Sequence, residues 1–99
     1  MYTRVRFEWD PAKNASNAKK HGIDFETARL VFDDPLHVAF IDSIEGGEER
    51  WHAIGMIEDI ITITVVHGYR VEGSDEVIRL ISARRATSHE RNMYAKTDR

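Results

Sequence analysis

Residues 78–94, Ile-Arg-Leu-Ile-Ser-Ala-Arg-Arg-Ala-Thr-Ser-His-Glu-Arg-Asn-Met-Tyr, gather four arginines, a glutamate, a histidine and a tyrosine around one strand-to-helix junction. Arginine binds phosphate through a planar fork of donors. Histidine, glutamate and tyrosine move protons. A phosphodiester-handling site needs both, held on a rigid support, and the apolar start of the segment reads as a central strand. Arg79 is the first candidate for phosphate, or else it pairs across strands with an acid such as Glu49. Arg84 and Arg85 point to opposite sides at the strand end; one can face the site and the other solvent, and Arg84 is favoured for the site. Arg91 and Tyr94 are three apart on a helix and share a face. They offer a cation for a pentavalent phosphate and a hydroxyl relay, or else an ion pair and a docking contact.

Two other segments carry candidate groups. Lys13, Asn17, Lys20 and His21 fall at helical spacing and make one polar stripe, ending where His21 could act as acid or base. The same stripe also reads as a solvated face, with His21 placed for the helix dipole. Glu48-Glu49-Arg50-Trp51 opens a strand, and a carboxylate there could be a general base beside Arg50. No metal or cofactor is called for. The histidines lack metal-ligand spacing, and there is no cysteine, phosphate loop or nucleophile elbow.

These groups need elements to hold them. Val5, Phe7 and Trp9 alternate with Arg4, Arg6 and Glu8, which predicts a short strand. Asp10-Pro11 opens a helix that stops at Gly22. Asp24 caps a second helix carrying Phe25, Ala28, Val31 and Phe32, ended by Asp33-Asp34-Pro35. Strands are predicted over 37–41, 50–57, 60–67 and 76–84, with loops over 42–49 and 68–75. Thr87-Ser88-His89-Glu90 is a capping box for a last helix. In the last strand Ile78, Leu80 and Ser82 alternate with Arg79, Ile81 and Ala83, so Arg79 should share an open face with Thr62 and Thr64. The expected fold is α+β: a four-stranded antiparallel sheet plus the short N-terminal strand, with helices on one face and the other free.

The 99 residues fit a single domain over 1–99. Hydrophobic content is 41% with 31% charged residues, as in folded soluble proteins. No apolar run could span a bilayer, and the first residues lack a signal-peptide core, so a cytoplasmic site is expected. Net charge is −3, but residues 1–23 carry +3 and 79–99 carry +4 around an acidic middle. If the two ends meet, they form a positive patch on an acidic protein.

Phe7-Glu8-Trp9-Asp10-Pro11 with Lys13, Asn17 and Lys20-His21-Gly22 resembles the opening of the BrnT toxins. Phe25, Ala28, Val31–Pro35, Gly47–Arg50, Gly55, Ile78–Arg84, Glu90-Arg91 and Tyr94 continue the resemblance in order over nearly the whole chain. It implies a RelE-like fold and a metal-independent ribonuclease that blocks translation. It also implies neutralisation by a BrnA-like antitoxin with a ribbon-helix-helix domain, which alone would bring the pair to DNA. On that reading the RNA 2′-hydroxyl attacks the adjacent phosphate. Arg79, Arg84 and Arg91 hold that phosphate, Glu49 or His21 is the base, and Tyr94 or His21 the acid. Lys20, Arg50, Lys13 and Arg85 bind RNA around them. The competing reading is a non-enzymatic binding module or co-repressor subunit.

Overall fold

The computed structural model describes residues 4–96. Five strands, β1 (Arg4–Glu8), β2 (Val38–Glu45), β3 (Glu48–Ile57), β4 (Ile61–Glu72) and β5 (Asp75–Arg85), form one sheet in the order β1-β5-β4-β3-β2. Strands β2 to β5 are antiparallel hairpins. β1 instead pairs parallel with β5, from Arg4 opposite Asp75 to Glu8 opposite Arg79. The sheet is therefore five-stranded and mixed, not four-stranded and antiparallel. The short first strand belongs to it because the chain crosses through the helices to β2 at the far edge and meanders back through β3 and β4 until β5 lies beside β1. Two expected loops are mostly strand: Gly46 and Gly47, both at positive φ, make the β2–β3 turn, and β4 runs on to Glu72.

Helix α1 (Pro11–His21) begins where the Asp10 carboxylate accepts from Ala12 N–H at 2.8 Å and ends at Gly22, φ 73°. The predicted second helix is only one turn, α2 (Phe25–Ala28), tightening into a 3-10 segment over Arg29–Asp33. Phe25, Ala28 and Val31 are nonetheless fully buried, as their spacing required. They pack with Ile63, Val65, Ala53, Leu80 and Ala83 on what we term the inner face.

The last helix, α3 (Ser88–Ala95), has its capping box at Thr87 and Glu90 as predicted. It lies on the outer face, however. Glu90 there accepts from Thr64, which alternates with inner-facing Ile63 and Val65. The expectation that one face would be left free is thus corrected. Thr64 needed a cover, and α3 supplies it at one end, leaving the other end of the outer face open.

Candidate active face of the sheet

Strand β5 carries the largest departure from simple alternation. Val66 pairs with Ser82 but His67 pairs with Leu80, so Ile81 is an extra residue in a β-bulge. The bulge reverses the alternation of the strand residues after it. Ala83, opposite Val65, is buried on the inner face, and Ser82 and Arg84 turn to the outer face. Without it Arg79 and Arg84, five positions apart, would face opposite sides. With it, both lie on the outer face.

The bulge is held from the side. β1 ends opposite Arg79, so the rest of β5 has a free edge. The Asn17 amide fills it, donating to Ala83 O at 2.9 Å and accepting from Ala83 N–H at 3.0 Å. It also donates to Ile23 O at 2.8 Å. Asn17, expected within a solvated polar stripe, is buried and clamps α1 to the sheet. Lys13, Lys20 and His21 remain exposed and line a shallow cleft with Ile81 and Ser82.

The arginines sort into two groups by what their forks already hold. Arg84 gives both terminal nitrogens to Glu90, at 2.7 and 3.0 Å. Glu90 also accepts from Thr64 Oγ1 and Thr87 N–H, each at 2.9 Å. The Arg84 guanidinium, against the opposing cost of burial, draws the Glu90 carboxyl down to about 2. Arg91 donates to Ala86 O at 2.9 Å and to Ser88 Oγ at 3.0 Å, which fixes the start of α3. Arg70 holds Glu8 with both terminal nitrogens, and Arg4 and Arg6 hold Asp75. By contrast Arg50, Arg79 and Arg85 make no side-chain hydrogen bond among the described residues. Arg50 Nε is even buried without a partner.

Two of these three arginines share one place, where Arg79 also attracts the Glu8 carboxylate opposite it on β1. Arg79 sits opposite Gly68 on β5, and Arg50 precedes Trp51, the partner of His67, on β3. Pleating puts both on the outer face, on either side of Gly68. The absent side chain there is needed: a Cβ on Gly68 would lie 2.6 Å from Glu48 Oε1 and 4.0 Å from Arg79 Cβ. Glu48 therefore lies across the sheet over Gly68, and among the described residues it forms no ion pair. With Arg70, Arg79 and Tyr69 it lines a cleft of about 140 Å³. Two residues beyond Arg50 on the same face is His52, whose Nε2 is 3.4 Å from the Asp42 carboxylate.

The other predicted groups lie elsewhere. Glu49 faces inward, opposite Ile44, where it accepts from Trp51 Nε1 at 3.3 Å. Arg85 is exposed opposite inner-facing Ile63. Tyr94 donates to Asp34 Oδ2 at 2.6 Å, and the same carboxylate accepts from Met56 and Leu36 N–H. Burial and the Asp34 carboxylate push the Tyr94 hydroxyl up to about 12, so it is a poor donor in proton transfer. Glu48 and His52 were missed as a pair. The available signal was their two-residue spacing around Arg50, which places all three on one strand face.

The model of the BrnT ribonuclease toxin of type II toxin–antitoxin systems matches residues 9–90. The chain belongs to the BrnT family. Among solved structures it is similar to the Brucella abortus ribonuclease toxin BrnT, at 32% identity and a TM-score of 0.58. That match covers 87% of this chain and all of the other. No individually curated protein matches it. The BrnT assignment accounts for an acidic protein that sets arginines free of side-chain hydrogen bonds on one patch: a ribonuclease toxin must meet a polyanion. Among the described residues no helix is long and apolar enough to cross a membrane.

Proposed function

We propose that this chain cleaves RNA at the open end of the outer face, without a metal ion, by attack of the substrate's 2′-hydroxyl on the adjacent phosphate. Arg79 and Arg50 bind the scissile phosphate and stabilise the charge that grows in the phosphorane. Glu48 is the base that takes the 2′-proton, and His52, oriented by Asp42, returns a proton to the leaving 5′-oxygen. Bond making and breaking are in line, so base and acid must stand on opposite sides of phosphorus. Glu48 and His52 meet that need, because four strand steps separate their Cα atoms by roughly 13 Å with Arg50 midway. The products are a 2′,3′-cyclic phosphate and a 5′-hydroxyl. Cleavage of message blocks translation, and a BrnA-like antitoxin neutralises it in the cytoplasm.

The observation that carries this reading is the pair of uncommitted arginines around Gly68, with a free carboxylate laid between them. Lys13, Lys20 and His21 lie past the β5 bulge, next to Ser82, where an RNA backbone leaving the face would pass. Arg84 and Arg91 serve by anchoring α3.

Arg79→Ala is expected to lower the rate on a short synthetic RNA about a hundredfold in buffer containing chelator, with an unchanged melting temperature. Full activity in that variant, or loss of wild-type cleavage in chelator, would overturn the assignment. Tyr94→Phe should behave oppositely. Losing a hydrogen bond to a carboxylate costs about 2 kcal/mol in urea unfolding, while the cleavage rate stays at the wild-type value. A large rate loss in Tyr94→Phe would restore the hydroxyl as the acid.

A further inference from the structure

The inner face is not wholly covered by the chain's own helices. Beyond the 3-10 segment a groove of about 440 Å³ is lined by aromatic and aliphatic groups, among them Phe32, Trp51 and Ile78. A second hollow shares Phe32, His37 and Ile78 with it and reaches Phe7 and Val5 on β1. On the far side the lane continues onto β2, where Ile41 is 46% and Ile44 68% exposed. Their register partners, Trp51 and Glu49, show that both point to the inner face. The lane thus crosses all five strands, from Val5 on one edge to Ile44 on the other, a span of roughly 19 Å. Its floor holds a polar atom with no partner among the described residues, Nε2 of His67, a side chain only 4% exposed.

Charge decides what fits there. No lysine or arginine lines either hollow, and Glu76 and Asp33 do. Residues 33–49, which border the lane, hold six acids and no lysine or arginine. A nucleic-acid backbone would be repelled. An apolar segment flanked by basic residues would be drawn in.

We propose that this lane is the docking site for an amphipathic helix of the cognate antitoxin, apolar on one face and basic at its margins. The proposal rests on reading the chain as the toxin of a toxin–antitoxin pair. A strand added to the β2 edge could not reach Phe7, whereas about 13 helical residues span the lane. β2 is an edge strand, so an antitoxin chain leaving the lane there turns directly onto the outer face, towards Glu48.

The test uses the full-length toxin with the double substitution Ile41→Lys and Ile44→Lys, both at exposed positions. Affinity for the purified antitoxin from the adjacent reading frame is measured by calorimetry, beside RNA cleavage and light scattering of the free toxin. The expected result is a Kd raised at least tenfold, with unchanged melting temperature, cleavage rate and mass. A Kd within twofold of wild type overturns the proposal. Unchanged affinity with lost cleavage would assign the lane to RNA. Unchanged affinity with a dimer broken to monomers would assign it to a second copy of the chain. If the wild-type protein cleaves no RNA but the double variant still loses antitoxin, the cleavage mechanism fails and the docking site stands.

Discussion

Replacing Glu48 with glutamine is expected to slow RNA cleavage about a thousandfold, the usual worth of a positioned general base. Glutamine keeps the length and shape that fit over Gly68, so the fold and the RNA affinity should be retained. The loss should therefore fall on kcat and not on KM. Glu49→Gln is the matched control, because that carboxylate faces the other side of the sheet beside Trp51 and should have no such effect. Gly68→Ala offers an independent route to the same end. Its new methyl would stand 2.6 Å from Glu48 Oε1, and a flexible side-chain tip will move before a strand does. Activity should fall with little change in stability. A thousandfold loss in Glu49→Gln with normal turnover in Glu48→Gln would move the base to the inner face and sink the mechanism.

Glu90→Ala should have the largest effect on stability, about 3 kcal/mol, because it strands the partly buried Arg84 cation and the Thr64 hydroxyl together. Urea unfolding at neutral pH measures it. The pH dependence has a definite sign. Glu90 is held at about 2 in the folded chain, below the ordinary value of 4.5. Its contribution is therefore complete above about 4.5 and is lost as pH falls through the folded value. Wild-type stability should drop between those limits, and the variant should lack that part of the slope. Equal acid sensitivity in both proteins would show that Glu90 is not the group responsible.

Much of this was readable from residue types and spacing. The Asp10 cap, the Gly22 stop, the Thr87–Glu90 capping box and the inner faces of β4 and of β5 as far as Leu80 follow from local rules that tertiary contacts did not override. The parallel pairing of β1 was not readable, since it depends on where a long crossover returns. Nor was the bulge at Ile81, because alternation gives no sign of an inserted residue when both neighbours are small or aliphatic. Strict alternation carried past Leu80 would put Ser82 and Ala83 on the wrong faces. The site suffered from the same gap. Arg84, Arg91 and Tyr94 carry suitable chemistry, yet each is committed to a partner that only the folded chain supplies. Being uncommitted is a property of the fold, and it is what distinguishes Arg50 and Arg79.

The pairing of β1 with β5 also sets an order of events during synthesis. Arg4 meets Asp75 across 71 positions of sequence, and Asn17 meets Ala83 across 66. Hairpins among β2, β3 and β4 can close as each is made, while these contacts wait for β5. Arg79 lies on that last strand, and the helix that clamps its edge is made before any of the hairpins. A ribosome-bound fragment ending before residue 79 therefore lacks one of the two arginines proposed to hold phosphate. The patch around Gly68 is thus assembled only when β5 joins the hairpins made before it.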